Sequence, residues 1–383
     1  MPWQEVDTVS LRSEFVRLAE AGGVSFAELC RRFRISRKTG YKWLERGREG
    51  GEAGLEDRSR RPLRSPGRTP EAVEAKLVRL RKRHPAWGPR KLHRVLANQG
   101  EQQLPAISTV AGILRRNGLV DEAQASEHEP YKRFEHDQPN DLWQMDFLGD
   151  FATGTQRCHT LTTLDDHSRF NLVLAACADQ STQTVRQQLI EAFCRFGLPL
   201  RMTMDNGSPW GNSGDRHDLT PLVVWLMRLG IRVSHSRPFH PQTQGKDERF
   251  HRTLRAEVLS GQHFADLAQV QSSLDRWRPI YNGVRPHQAL DMQVPQQRYR
   301  CSPRPYPERL PPLEYGPEDM VRKVQDLGWV HFGGQTFRIP KALKGQPVAI
   351  RATTTDGSYE VYFARHLITK ISLRRTNGSK CNV

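Results

Sequence analysis

A chain of 383 residues is too long for one small domain and predicts two or three. Its 58 Lys and Arg against 42 Asp and Glu leave +16, divided as +12 over residues 1–120, −1 over 121–310 and +5 over 311–383. No stretch nears the roughly 18 apolar residues of a membrane span, the first twenty residues lack a signal-peptide core, and the six cysteines form no C-x-x-C pair. A membrane protein, a secreted disulfide scaffold and a zinc module are therefore disfavoured, and a cytoplasmic protein is expected. Basic ends around a neutral centre suit contact with a polyanion at both ends; a solvated basic surface is the plain alternative.

Along the chain, Leu11, Phe15 and Leu18 form a helical stripe that Gly22-Gly23 stops. Ser25 and Glu28 read as a capping box opening a second helix to about Phe33. Ser36 caps a third, which carries Arg37, Lys38, Thr39, Tyr41 and Lys42 outward and Trp43-Leu44 partly inward. Three short helices ending in a capped, basic, aromatic one describe a helix-turn-helix DNA-binding domain over 1–48, against the plain reading of a three-helix bundle with a basic surface. A Gly-, Arg- and Pro-rich linker follows over 49–69. Stripes at Val73, Leu77 and Leu80, then Leu92, Val95 and Leu96 behind Pro89, then Val110, Ile113 and Leu114 behind a Ser108 cap predict a second helix-turn-helix-like domain over 70–120. Two such modules in tandem raise affinity for a long DNA site. Residues 121–138, polar and acidic, read as a second linker.

From 139 to 300 the pattern changes to a mixed α/β layer. Strands are expected at Leu142–Phe147, His159–Leu164, Phe170–Ala176, Leu200–Met204 and Ile231–His235, with helices at Thr182–Phe196, Leu219–Leu229 and about Gln244–Leu259. A Pro-rich linker over 301–318 leads to hairpins at Trp329–Ile339 and Val348–Phe363, whose simplest closure over 319–375 is a small β-barrel touching DNA or another subunit, before a tail over 376–383.

Carboxylates are frequent here, so spacing alone selects none of them; setting does. Asp146 interrupts the β-forming run Trp143–Phe147, where an unpaired charge is poorly tolerated. Asp205 ends a strand and precedes Asn206-Gly207, a position that faces a cleft in open α/β sheets. Glu248 shares a helix face with Arg252 and Arg255. Three carboxylates converging from two strands and a helix could hold two Mg²⁺ ions roughly 3.5–4 Å apart for in-line phosphoryl transfer, with Arg252 and Arg255 on nearby phosphates. Taken singly, Asp205-Asn206-Gly207 is equally a plain turn and Glu248–Arg252 a helix surface pair. Asp165 and Asp166 compete for a metal role, but Asp166 reads first as a turn or Arg-pairing residue beside Arg169, while Asp247 projects about 100° from Glu248 and faces elsewhere.

Together Trp143–Phe147, Leu164–Arg169, Met204–Ser208 and Arg237–Arg252, with Tyr281-Asn282 and Arg285–Leu290 after them, resemble the integrase-core DDE transposases of bacterial insertion sequences, over about 140–300 and more loosely at the paired helix-turn-helix head. The resemblance implies a ribonuclease H-like core with Asp146 on its first strand, Asp205 after its fourth and Glu248 on a late helix as catalytic and metal residues. It implies Mg²⁺, for which Mn²⁺ can substitute, binding of terminal inverted repeats, 3′-end cleavage and strand transfer to target DNA inside a homo-oligomer on the bacterial nucleoid. Asp205 and Glu248 lie 43 positions apart, longer than in compact relatives, and Pro209–Asp218 accounts for the added loop. The alternative to an active enzyme is a DNA-binding repressor derived from a transposase.

Overall fold

The structure is a computed structural model and describes residues 7–58, 67–120, 135–211, 219–235 and 245–373. The chain divides into two units, Met1–Arg68 and Thr69–Val383.

In the first unit, α1 (Thr8–Ala21), α2 (Phe26–Arg32) and α3 (Arg37–Gly50) follow one another. The Ser25 and Ser36 side chains accept from the amides of Glu28 and Thr39, as the sequence predicts. Only half of the capping box forms, because Glu28 turns to the guanidiniums of Arg31 and Arg32. The inward stripe of α1 also differs from expectation. Phe15 and Val16 are buried while Leu11 and Leu18 are 42% and 36% exposed. The helix is rotated so that Val9 and Ala19 flank the buried pair against Leu29, Cys30, Trp43 and Leu44. The expected linker from 49 begins later. Residues Gly51–Leu55 form a 3-10 turn whose Leu55 is buried, and Arg12 and Arg46 donate to the carbonyls of Leu55 and Glu56.

The second unit starts with α4 (Glu71–Arg83), α5 (Pro89–Asn98) and α6 (Ile107–Arg116). The predicted stripes are buried around a residue the sequence reading overlooked, Trp87, which is fully enclosed. Ser108 does not cap α6; the cap position is Ala106, which has no side-chain oxygen to offer. Ile280 packs against this cluster.

Next comes a five-stranded sheet from β1 (Leu142–Ala152), β2 (Arg157–Asp165), β3 (Asn171–Cys177), β4 (Arg201–Met204) and β5 (Arg232–His235), in the order β3-β2-β1-β4-β5. Strands β1, β2 and β3 pair antiparallel, and β4 joins β1 and β5 in parallel. Helices α7 (Thr182–Phe196) and α8 (Pro221–Arg228) cover one face; α9 (Gly245–Leu254), a π turn Arg255–Leu259 and α10 (Leu267–Gly283) cover the other. Alternation along β1 decides what each face receives. Trp143 and Met145 enter the core under α7 and α8, so Gln144 and Asp146 point to the α9 side. A shift of register between Phe147 and Asp150 then bends the strand, with Gly149 at φ 102°.

The segment expected as a Pro-rich linker is strapped to this layer. Leu198 donates to the Arg304 carbonyl, the Arg304 guanidinium donates to the carbonyls of Pro199, Leu229 and Gly230, and Tyr306 and Leu310 pack on the core. A short α11 (Pro295–Arg298) precedes it. Beyond lie β6 (Met320–Lys323), β7 (Trp329–Phe332), β8 (Gln335–Arg338), β9 (Pro347–Ala352), β10 (Ser358–Phe363) and β11 (His366–Ser372). Both predicted hairpins are present, β7–β8 turning at Gly333-Gly334 with positive φ. The predicted barrel is not. Strands β11-β10-β9-β6 form one open sheet and β7-β8 a separate ribbon, and among the described residues no pairing closes them. Their shared core includes Val223, Val224 and Met227 of α8, so a helix fills the side that closure would otherwise occupy. No described helix is long and apolar enough to cross a membrane.

Candidate active site

Asp146 lies mid-strand on β1, opposite Thr162 of β2, whose hydroxyl donates to the Asp146 carbonyl at 3.0 Å. Parallel pairing of Gln144 with Thr203 brings the end of β4 alongside, and Asp205 follows that end at once, exposed. Glu248 is exposed in the first turn of α9, whose Phe250, His251 and Leu254 face the sheet. Three elements thus bring three carboxylates into one field. Burial, opposed by the Phe147 amide and reinforced by the charges of Asp205 and Glu248, pushes the Asp146 carboxyl up to about 6.

His251, one turn beyond Glu248, belongs to the same constellation. Its Nε2 lies 2.8 Å from Thr162 Oγ1 and its Nδ1 4.0 Å from Asp146 Oδ2. The one Thr162 proton is engaged by the Asp146 carbonyl, so Nε2 carries the hydrogen of the His251–Thr162 bond. Burial, with Arg255 adding to it, lowers His251 to about 4, so the ring is neutral near pH 7. The sequence signal was present in the i, i+3 spacing from Glu248.

Asp247 does face away from Glu248, but into the protein. It is completely buried and neither oxygen has a hydrogen-bond partner among the described residues. Burial first, then the charges of Asp146 and Asp166, raise its carboxyl well above the usual range. Asp166 stands in the turn after β2, as expected, but does not pair with Arg169. It accepts from Gln144 Nε2 at 2.8 Å and the His136 amide at 2.9 Å and pairs with Lys246, while Arg169 pairs with Glu135.

The basic candidates divide. Arg252 is exposed; Arg255 is exposed too, but it donates to the Leu148 carbonyl at 2.6 Å and so braces the bend in β1. On α3, Arg37, Lys38 and Lys42 are exposed, and Tyr41 stacks on Phe26 while remaining 57% exposed. Thr39 is half-buried and its hydroxyl meets Ser36 Oγ at 2.8 Å, which ties it to the helix cap rather than to an outward face. Residues 236–244, with the expected helix start at about Gln244, lie outside the described residues, as does 212–218 of the added loop. The loop's start is anchored: Trp210 is buried and stacks on Phe147 at 5.3 Å.

Among the described residues no three His, Cys, Asp or Glu side chains stand close enough to hold one ion as they are. The donor set nonetheless suits a hard divalent cation in kind. Asp146, Asp205 and Glu248 offer only oxygens, and their mutual repulsion, felt at Asp146, is what a cation would offset.

Comparison with known proteins matches the model for the integrase core domain over residues 136–241 and a second integrase core domain model over 229–295. Models for a helix-turn-helix domain and a homeodomain-like domain match 11–62 and 39–114, and the C-terminal domain of IS481 family transposases matches 319–379. The insertion element IS476 uncharacterized 39.2 kDa protein of Xanthomonas euvesicatoria is 27% identical over 249 residues, 64% of this chain and 69% of that protein. The insertion element IS407 uncharacterized 31.7 kDa protein of Burkholderia multivorans is 26% identical over 59% of this chain and 80% of its own. The transposase for insertion sequence element IS21 of Pseudomonas aeruginosa is 25% identical over 52% and 53%.

Proposed function

We propose that this chain, which belongs to the insertion-sequence transposases with an integrase core and is a DNA-cleaving and DNA-transferring enzyme, binds the terminal inverted repeats of its element, cleaves their 3′ ends and joins them to target DNA. The observation that carries this reading is the placement of Asp146 on β1, Asp205 directly after the neighbouring β4 and Glu248 in the first turn of α9. Those three residues would hold two Mg²⁺ ions, or Mn²⁺ in their place. The bound ions supply Lewis-acid stabilisation of the attacking and leaving oxygens. The chain's own residues do the rest. Thr162 on β2 holds the Asp146 backbone carbonyl, and neutral His251 on α9 holds Thr162 in turn. Arg252 binds a phosphate beside the site. Arg37, Lys38, Tyr41 and Lys42 on α3 read or follow the repeat, with Thr39 holding the helix cap and Arg255 bracing β1.

The domains of this reading are a helix-turn-helix domain continuing to about 57, a second basic helical domain over 70–120, the catalytic core over 139–300 and a C-terminal domain over 319–375. The last, an open four-stranded sheet with a separate two-stranded ribbon, meets DNA or a second copy. Work on two element ends requires a homo-oligomer on DNA, at the nucleoid. The test is a pair of assays in Mg²⁺, nicking of inverted-repeat DNA and joining of pre-cleaved ends. Asp146→Asn, Asp205→Asn and Glu248→Gln should each bring both steps to background; full activity in any one removes that residue from the site. DNA binding by the unaltered chain without cleavage in Mg²⁺ or Mn²⁺ would favour a repressor, and cleavage without joining a nuclease.

A further inference from the structure

The site carboxylates sit on separate elements, β1 and α9, and something must fix the distance between them. Asp166, at the end of the β2 hairpin, touches both. Its Oδ1 accepts from Gln144 Nε2 at 2.8 Å and pairs with the Lys246 ammonium, which also reaches the Asp166 carbonyl at 3.2 Å. Its Oδ2 accepts from the His136 amide at 2.9 Å. Gln144 precedes Asp146 by two positions, which on a strand is the same face. Lys246 precedes Glu248 by two positions in the opening turn of α9. Asp166 is 2% exposed, and Lys246, Gln144 and the His136 amide supply the partners that its buried oxygens need. Lys246 keeps a side chain only 18% exposed, which commits its ammonium to Asp166 rather than to solvent or a phosphate.

We propose that Asp166 is a positioning residue, a buried anchor that couples β1 through Gln144 to α9 through Lys246 and so sets the separation of Asp146 and Glu248. It touches no reacting atom. The inference rests on the reading of Asp146 and Glu248 as metal-holding residues. Loosening either arm lets the two carboxylates drift apart, which weakens metal capture before it alters DNA binding.

The experiment uses the full chain with Lys246→Gln, Lys246→Arg, Gln144→Leu and Asp166→Asn. Three quantities are measured: Mn²⁺ binding by calorimetric titration without DNA, the Mg²⁺ concentration for half-maximal nicking, and affinity for inverted-repeat DNA in a metal-free buffer. Lys246→Gln and Gln144→Leu should each weaken Mn²⁺ binding and raise the Mg²⁺ requirement by about tenfold, with DNA affinity within about twofold of the parent. Lys246→Arg should restore most of the loss. Asp166→Asn should match or exceed the single-arm variants; should it fail to fold, the two arms decide alone. Parental Mn²⁺ binding in both arm variants, or no difference between Lys246→Arg and Lys246→Gln, overturns the proposal. Asp146→Asn separates the two levels. If it nicks DNA at the parental rate, the reading of the site fails; if it is inactive while both arm variants bind Mn²⁺ normally, only the anchor fails.

Discussion

Trp87 donates its indole N–H to Glu257 Oε1 at 3.2 Å, across 170 positions of sequence. The same carboxylate accepts from Trp277 Nε1 at 2.9 Å and Arg285 Nε at 2.8 Å, so one side chain on the π turn joins α4–α6 to the catalytic layer. Glu257 and Arg285 are 8% and 9% exposed. Removing one member of a buried pair leaves the other charge uncompensated, at about 3–5 kcal/mol. Glu257→Ala should therefore lose about that much in chemical denaturation followed by tryptophan fluorescence. Glu257→Gln, which keeps the shape, should lose less. A change below about 1 kcal/mol in Glu257→Ala would mean that Arg285 and both indoles find other partners.

Asp146 carries a cost in the metal-free protein. Its folded carboxyl is raised to about 6 from an ordinary value of 3.8, chiefly by burial. An acid whose folded pKa is raised destabilises the fold once it is ionised; the penalty is complete above pH 6, shrinks as pH falls through 6 and is gone below about 3.8. Asp146→Asn should thus stabilise the chelated protein by about 1–2 kcal/mol at pH 8, with the gain vanishing at pH 4. Thermal unfolding in EDTA at both pH values checks this. A variant less stable than the parent at pH 8 would contradict it, since the Phe147 and Thr162 contacts would then outweigh the buried charge.

His251 gives the opposite slope. Burial lowers it from 6.5 to about 4, so the unfolded chain takes up a proton that the folded chain refuses between those values. The stability that neutral His251 confers is present above pH 6.5 and is lost as pH falls through that window. Relative to His251→Gln, the parent should lose about 2–3 kcal/mol between pH 7 and pH 4. A pH-independent difference between the two proteins would show that His251 keeps its ordinary titration.

The elements with strong periodicity are readable from the sequence. The five strands of the core and the helix Thr182–Phe196 stand where alternation and helical stripes predict them. Asp146 was legible because a charge inside an apolar strand demands a reason. What sequence could not reveal is partner choice. Asp166 sits three positions before Arg169, yet pairs with Lys246 eighty positions on, because β2 and α9 meet only in the folded sheet. Leu11 and Leu18 fit a stripe as well as Phe15 does, and only packing against α3 decides which face turns inward. Hairpins point to a barrel only through local turns, which do not specify whether a helix such as α8 takes the place of a closing strand.

Gly40 tests the head of the chain separately from the rest. A Cβ built there would lie 2.7 Å from Cys30 Sγ and 3.0 Å from the rings of Phe15 and Phe26, so α3 can cross α1 and α2 only at a glycine. Gly40→Val adds three carbons at this crossing and must push the helices apart, at a cost of several kcal/mol by overpacking, about 1–3 or more. Among its described residues the first unit has a small core of seven buried apolar side chains and so has little stability to spare. Gly40→Val should therefore lose sequence-specific affinity for the inverted repeat and flatten its salt dependence, whose log–log slope is about −0.9 per phosphate contacted. Metal-dependent nicking of non-specific DNA by the Thr69–Val383 unit should persist. Parental repeat binding in Gly40→Val, measured by a salt-titrated band shift, would assign recognition to α4–α6 instead.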